Sequence, residues 1–358
     1  MDFMLGTVAK IDRVDLAKQA EDLGYSHFGV AEGPLLFSDP YAYLALAARE
    51  TSRIKLGTWV TNPLTRIPPQ TANHIATLNA IAPGRTFLGF GAANNAMRSM
   101  GMRPARIAET EDAIRVITGM LRGERVDYEW DGRRRPIEFL DPEGGWYNIA
   151  DPIPVYLAAG GPRSLELAGR VADAVVYSGG GRDVRFIRLI RRLIDEAAAR
   201  AGRPRGSVKL VAATFFYLLR DGEGLTEAVE QGFGSGPLVS ALLGKDLARA
   251  HAGELGEALV SEVETAAGAY LGSGGPVGED AHLQAWKTYM RGFDRRHTSL
   301  ISRGIVDAFC IWGTADECLE QAHAMAEAGV DAIEPFLSNP ARYDRDTRDF
   351  AEAIIQRW

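Results

Sequence analysis

Cysteine is scarce in this chain. Its 358 residues include only Cys310 and Cys318. Neither lies beside a cluster of histidines, so the sequence supports neither a disulfide framework nor a zinc site. We expect both to be buried free thiols. The six histidines are scattered without metal-ligand spacing, and we predict no metal site.

Long apolar runs and an excess of positive charge are also lacking. No run reaches the roughly 18 residues that a membrane-spanning helix needs, and the amino terminus has no signal-peptide pattern. The net charge of −7 argues against binding to a phosphate backbone. Hydrophobic residues make up 46% and charged residues 24%, as in ordinary soluble proteins. We therefore expect a cytoplasmic protein with neither membrane nor nucleic-acid partners.

Several catalytic motifs are missing as well. The sequence contains no Gly-x-Ser-x-Gly, no His-Glu-x-x-His and no Gly-x-x-x-x-Gly-Lys-Ser/Thr. The serine hydrolases, zinc proteases and P-loop nucleotidases that depend on these motifs are thereby disfavoured.

Short apolar runs alternate with amphipathic segments of helical period, which is typical of parallel βα units. The predicted strands are Phe3–Gly6, His27–Ala31, Ile54–Thr61, Thr86–Gly91, Val155–Ala159, Ala174–Tyr177, Val208–Leu218 and Ala332–Leu337. Eight units predict an α/β fold of the (β/α)8 TIM-barrel type, with residues 1–358 as one domain. A doubly wound open sheet is the alternative.

Two segments interrupt the repeat. Residues 125–140 predict a hairpin around Asp131-Gly132, since this dipeptide suits a tight turn. Residues 221–306 form a largely helical insertion between the seventh and eighth strands. Such insertions usually lie at the catalytic face, which suggests a lid. A dimer-forming appendage is the equal alternative.

Glycine-rich corners follow the fifth and sixth predicted strands. The stretch "PVYLAAGGPRSLELAG" places Gly160 and Gly161 before a proline that suits the first turn of a helix. The next strand ends in Ser178-Gly179-Gly180-Gly181, followed by Arg182. Glycine lets an anion approach the backbone, helix starts attract phosphate, and arginine pairs with phosphate oxygens. Two such corners on adjacent strands predict a phosphate site.

The ends of the third and fourth strands are also unusual. Gly57 lies inside "RIKLGTWVTNPLTRIPPQT", where a strand glycine indicates a bulge or an ordinary edge irregularity. In "RTFLGFGAANNAMRSMG", small residues at 89–93 leave room for a planar group, and Asn94 and Asn95 could bind its polar rim. A turn-rich surface loop has the same residue composition, so the composition favours neither interpretation.

Candidate catalytic groups are few. Glu32 follows the second strand, so on barrel geometry it lies at the catalytic face, where it could act as an acid or base. It could equally hold the loop by hydrogen bonds. Among the histidines, His297 in the insertion could reach a substrate.

Taken together, these stretches resemble the luciferase-like superfamily of flavin monooxygenases and F420-dependent reductases. The segments "TNPLTRIPPQTANHIATLNAIAPGRTFLGFGAANNA" and "PVYLAAGGPRSLELAGRVADAVV" are most similar to those of methylenetetrahydromethanopterin reductase-like members. The resemblance runs in order from "DLGYSHFGVAEG" to "GTADECLEQAHAMAEAGVDAIEPF".

The resemblance implies a barrel that binds F420 or FMN at the carboxyl ends of its strands, with an unusual cis peptide in the "GTWVTNP" region. The candidate catalytic residues are Glu32 and His297, from their positions in the chain, and Asn94, which stands in the fourth-strand loop. The implied cofactor-binding residues are Trp59, Thr61, Asn62, Gly91, Ala92, Asn94, Asn95, Ala159, Gly160, Gly161, Ser178, Gly179, Gly180 and Arg182. A small organic substrate, a homodimer and a separate flavin or F420 reductase are the implied partners.

Two departures bear on the reaction. Many relatives carry a histidine after the acid of the second strand, where this chain has Gly33, and methanopterin-type enzymes carry Asp where this chain has Asn94. An amide cannot deliver a proton as a carboxylic acid can, which argues against the methanopterin substrate. Three hypotheses remain: F420-dependent hydride transfer, a two-component FMNH2/O2-dependent monooxygenase, and a flavin-binding protein without catalysis.

Overall fold

The computed structural model of the chain describes residues 1–177, 181–274, 278–290, 297–337 and 339–358. In these ranges the strands are β1 Asp2–Val8, β2 His27–Ala31, β3 Lys55–Thr58, β4 Thr86–Phe90, β5 Val126–Trp130, β6 Arg133–Ile137, β7 Val155–Ala158, β8 Ala174–Tyr177, β9 Lys209–Leu218, β10 Cys310–Gly313 and β11 Ala332–Phe336.

Helices alternate with the strands and cover the outside of the sheet. They are α1 Asp15–Asp22, α2 Pro40–Glu50, α3 Pro68–Ile81, α4 Asn94–Arg98, α5 Ile107–Leu121, α6 Pro162–Val171, α7 Val184–Arg200, α8 Leu225–Glu227, α9 Gly236–Ala250, α10 Ala252–Leu255, α11 Glu257–Gly272, α12 Ala281–Met290, α13 Arg303–Phe309, α14 Ala315–Glu327 and α15 Tyr343–Ala353. No helix in the described ranges is long and apolar enough to cross a membrane.

Eight parallel strands close into a barrel in the order β1-β2-β3-β4-β7-β8-β9-β11, and β11 pairs again with β1. The (β/α)8 prediction is therefore confirmed, and the open sheet is excluded. The strands are largely apolar because both faces are covered, as β4 shows with five buried residues in a row. All eight predicted strands coincide with barrel strands.

The barrel has an apolar interior, in which Met4, Phe87, Tyr156 and Val211 pack together. A larger cluster fills the layer between strands and helices. Both cysteines are free and buried there, as predicted.

The hairpin is confirmed as β5 and β6, which pair from Val126 opposite Ile137 to Trp130 opposite Arg133. At its turn, Asp131 and Gly132 have φ values of 52° and 68°.

The insertion after β9 is helical, as expected, and it is followed by a strand that the sequence analysis missed. In β10, Cys310 pairs with Phe215 and Gly313 with Leu218, so this short strand extends the outer half of β9 beside the barrel. Within the insertion, α9 and α11 pack against each other.

Candidate active site

The third barrel strand turns inward where it ends. The peptide bond between Trp59 and Val60 is cis, which confirms the cis peptide that the resemblance implies for this region. The chain rejoins the sheet at Thr61, whose N–H donates to the Gly89 carbonyl at 2.9 Å and whose carbonyl accepts from the Gly91 N–H at 2.9 Å. The bulge places Trp59 and Val60, both partly exposed, at the carboxyl-terminal mouth of the barrel.

Glycines on the surrounding strands make room for this bulge. A Cβ atom at Gly29 would lie 2.7 Å from the Trp59 Cβ, and one at Gly91 would lie 2.8 Å from a Val60 methyl carbon. At Gly89 it would overlap the Thr58 carbonyl oxygen. The small residues at 89 and 91 thus have a packing reason within the protein, and a planar ligand beside them stays a prediction.

The loop after β4 leads into the short helix α4. Ala93 has a left-handed φ of 64°, and the Ala92 carbonyl accepts from the Ala105 N–H at 2.8 Å. Asn94 and Asn95 open α4 and are exposed to solvent. Their amide groups are therefore accessible at the mouth, as a ligand-binding role requires.

Glu32 lies at the other side of the bulge and is surrounded by donors. Its carboxylate accepts from the Thr61 hydroxyl, from the Asn62 amide at 3.3 Å and from the Thr65 hydroxyl at 2.8 Å, and it pairs with the Arg66 guanidinium. Only 2% of its side chain is exposed. The contacts favour the loop-holding interpretation of Glu32 over the acid–base interpretation.

The same contacts involve two residues assigned to the cofactor. Thr61 and Asn62 are buried, and their side chains donate to Glu32. The Asn62 carbonyl oxygen also accepts from the backbone N–H groups of Leu64 and Thr65. Their side chains shape the loop beneath the mouth rather than project into it.

The glycine corner after β7 is open. The N–H groups of Gly160 and Gly161 donate to the Ser164 hydroxyl at 3.2 and 3.0 Å, at the start of α6. Among the described residues, apart from its own chain neighbours, none has an atom within 4 Å of where a Cβ of Gly160 would be. Next to it, Ala159 donates to the Val176 carbonyl at 3.0 Å, so the end of β8 adjoins this corner. Ser178, Gly179 and Gly180 lie outside the described residues.

Arg182 does not point to this corner. Its Nε donates to the Cys310 carbonyl at 2.7 Å, and its guanidinium lies 3.6 Å from Asp307. Burial lowers its pKa. The side chain lines a cavity of about 330 Å³ beside β10, with Arg303 and Trp312. In this arrangement Arg182 anchors the segment after β8 to the end of the insertion.

The insertion meets the barrel mouth at two places. On one side, Gly236 packs on the Phe215 ring at the outer half of β9. Beside Gly236, the Ser235 hydroxyl lies 3.2 Å from the Nδ1 of His297, which is buried. On another side, the His282 ring of α12 lies against Gly101 in the loop after β4. The insertion thus reaches from β9 to the loop after β4. This span supports the lid interpretation. The described contacts of His297 lie within the insertion.

Sequence reasoning missed a buried acid inside the barrel. Glu334 lies in the middle of β11 and is 1% exposed, and neither of its carboxylate oxygens has a hydrogen-bond partner among the described residues. Its Oε1 lies 2.5 Å from the position that a Cβ at Gly6 would take. Burial raises the pKa of Glu334 to about 8. The available signal was the single acid in "AIEPF", an otherwise apolar strand.

Comparison with known protein families gives the family. Residues 7–332 match the family described as luciferase-like monooxygenase. The chain belongs to this family. The predicted membership is thereby confirmed, and with it the prediction that the chain is an enzyme of this kind.

Individual luciferase-like relatives give a finer view. The chain is 28% identical over 322 residues to 5,10-methylenetetrahydromethanopterin reductase of Methanolobus tindarius, covering 88% of this chain and 87% of the relative. It is 32% identical over 217 residues to F420-dependent glucose-6-phosphate dehydrogenase of Kineococcus radiotolerans, covering 54% of this chain and 60% of the relative. The solved structure of coenzyme F420-dependent tetrahydromethanopterin reductase from Methanopyrus kandleri superposes with a TM-score of 0.72 at 23% identity, covering 99% of both chains.

Proposed function

We propose that this luciferase-like enzyme binds reduced F420 at the carboxyl-terminal mouth of the barrel and reduces a small organic acceptor beneath the insertion. The relatives named above support this choice, since one is named as F420-dependent and the similar solved structure carries the same description. A cofactor of this type supplies two electrons as a hydride when it is bound, and the protein supplies the site.

The observation that carries the proposal is the open corner at Gly160 and Gly161. Within the part of the chain that the structure describes, its backbone N–H groups have the Ser164 hydroxyl as their one acceptor, and the space above Gly160 is free. A phosphate group fits such a corner, because the start of α6 adds the positive end of a helix dipole.

The rest of the mouth fits a flat aromatic ring. Trp59 and Val60 offer an apolar surface, and the exposed amides of Asn94 and Asn95 can donate and accept hydrogen bonds. The insertion would exclude water from the reacting groups, which strengthens every polar contact inside the site. Arg182 does not contribute a charge to the phosphate in this arrangement, since it is directed at Asp307 and Cys310.

The test is titration of the purified protein with F420 and with FMN, each oxidised and reduced, in the wild type and in Gly160→Asp. The added carboxylate has room but repels a phosphate, so we expect the dissociation constant to rise about tenfold or more. Gly253→Asp is the matched control, because this exposed glycine in α10 also has no atom within 4 Å. Equal affinities in both variants would contradict the phosphate site.

A two-component monooxygenase is the second candidate, because the matched family is described as luciferase-like monooxygenase. Oxygen uptake separates the two candidates. Substrate-dependent oxygen consumption with reduced FMN would support the monooxygenase reaction and contradict hydride transfer. Oxidation of reduced F420 by an organic acceptor under argon would support hydride transfer.

A further inference from the structure

We propose that Glu334 is a positioning residue of the mouth: its neutral carboxyl group, buried beside Trp59, keeps the bulge in the form that binds the cofactor. This inference rests on the proposed function, because it takes Trp59 and Val60 as the surface that receives the ligand.

The carboxyl group of Glu334 is buried and lies near the Trp59 indole. Trp59 packs against the interior cluster of the barrel, and both the indole and the Glu334 carboxyl occupy the space that the missing side chain of Gly6 leaves free. The indole N–H of Trp59 and the backbone N–H of Gly6 face the carboxyl group and favour its charged form, but neither meets it in the geometry of a hydrogen bond. Glu334 and Trp59 are therefore direct neighbours in a closed interior.

The second step is the lack of a counter-charge. On the adjoining strand, Ala213 lies opposite Glu334, and Gly6 carries no side chain. Within the described residues, the groups that shift the pKa of Glu334 are its burial, Trp59 and Gly6, and none is a cation. An ionised carboxylate here would be an unpaired buried charge, which is costly enough that the group holds a proton instead.

The other titratable groups near the interior are neutral too. Burial lowers the pKa of His27 to about 4, and its Nε2 lies 3.2 Å from the Tyr156 hydroxyl, whose pKa burial raises to about 12. Tyr25 interacts electrostatically with Glu334 and has its pKa raised mainly by its own burial, then by Asp346 and Glu334. None of these groups changes charge near pH 8, so Glu334 is the titrating group of this interior.

The third step links the proton to the ligand surface. When Glu334 ionises, the carboxylate must attract water or a donor, and the indole N–H of Trp59 is the side-chain donor that faces it. Movement of Trp59 changes the bulge that it shares with Val60. If only the protonated form binds, the apparent dissociation constant rises up to about tenfold for each pH unit above the pKa.

The experiment is the dissociation constant of F420 and of FMN between pH 6 and pH 9.5, in the wild type and in Glu334→Gln. We expect wild-type affinity to fall above about pH 8 and the variant, whose amide cannot ionise, to have a flatter profile. Titration of the cofactor itself is common to both proteins and cancels in the comparison. Parallel profiles would overturn the inference, whereas failure of both proteins to bind either cofactor at any pH would refute the proposed function.

Two further variants make the result decisive. Trp59→Phe removes the donor that favours the charged form, so the pH midpoint of binding should move upward. Glu21→Gln is the control, because Glu21 is also buried but accepts from the backbone N–H groups of residues 52–54, and its pKa is lowered to about 2. This control should keep the wild-type midpoint. An unshifted midpoint in Trp59→Phe would contradict the role of Trp59 even if Glu334→Gln did not fold.

Discussion

Two buried glutamates of the barrel differ in how they are paired. In the described ranges, Glu32, after β2, has four side-chain partners, one of them the cation Arg66, whereas Glu334, in β11, has no hydrogen-bond partner there for either oxygen. A fully paired carboxylate is part of the scaffold, since its removal leaves its donors without an acceptor. An unpaired buried carboxyl group stabilises the fold no more than an apolar side chain in its place would. A functional role is therefore the better explanation.

The largest expected effect is at Glu32. Glu32→Ala leaves three donors without their acceptor and removes the buried partner of Arg66, and breaking a buried ion pair costs about 3–5 kcal/mol of unfolding free energy. Urea unfolding measures this loss. Asp39→Ala is the control, since Asp39 is the other partner of Arg66 and caps α2 but is half exposed. Asp39→Ala should lower the unfolding free energy by about 1 kcal/mol. Equal losses of unfolding free energy in Glu32→Ala and Asp39→Ala would contradict the structural role of Glu32.

Glu334 should behave in the opposite way. Its pKa is raised from 4.5 to about 8, so the folded protein holds a proton that the unfolded chain releases between these values. The stability of the wild type therefore falls as the pH rises through this window, by up to about 1.4 kcal/mol per unit from this group. Glu334→Gln should lack this slope and exceed the wild type above pH 8. Identical slopes in urea titrations at several pH values would show that Glu334 does not hold the proton.

The barrel could be predicted from the sequence, but the contrast between the glutamates could not. Strands covered on both faces must be apolar, so β2, β4 and β8 stand out as short runs. The strand β10 is four residues long and directly follows α13, and it is recognisable only by its pairing with β9. Whether an acid is paired depends on residues distant in sequence, as with Glu334 and Gly6.

The candidate site shows the same division. The turn at Gly160 and Gly161 between β7 and α6 could be predicted from a strand, two glycines and a proline, which are local features, and its role as a phosphate site stays a prediction. The direction of Arg182 could not be predicted, because it depends on the Cys310 carbonyl and on Asp307, more than a hundred residues away along the chain. The glycines at 89 and 91 fit either a ligand or a bulge by composition, and only the three-dimensional course of β3 distinguishes the two explanations.

A pair of glycine variants sharpens this distinction at a smaller scale. A Cβ at Gly89 would overlap the backbone of Thr58, so Gly89→Ala should cost about 1–3 kcal/mol of unfolding free energy or more, as overpacking of a core does. Gly160→Ala has free space and should change stability by less than about 0.5 kcal/mol. Chemical denaturation of both variants tests the claim. A similar cost at Gly160 would mean that its corner is closed by packing.

The smallest expected effect concerns the insertion, where the lid and dimer interpretations compete. His282 contacts Gly101 across the mouth, so His282→Ala should loosen the closed position of α12 without disturbing the barrel core. For a lid, we expect a rise of a few fold in the KM of the organic acceptor, with the melting temperature and the sedimentation coefficient unchanged, because closure orders the site rather than the fold. A shift of the sedimentation coefficient toward a smaller species, with KM unchanged, would instead assign this helix to an interface between two copies of the chain.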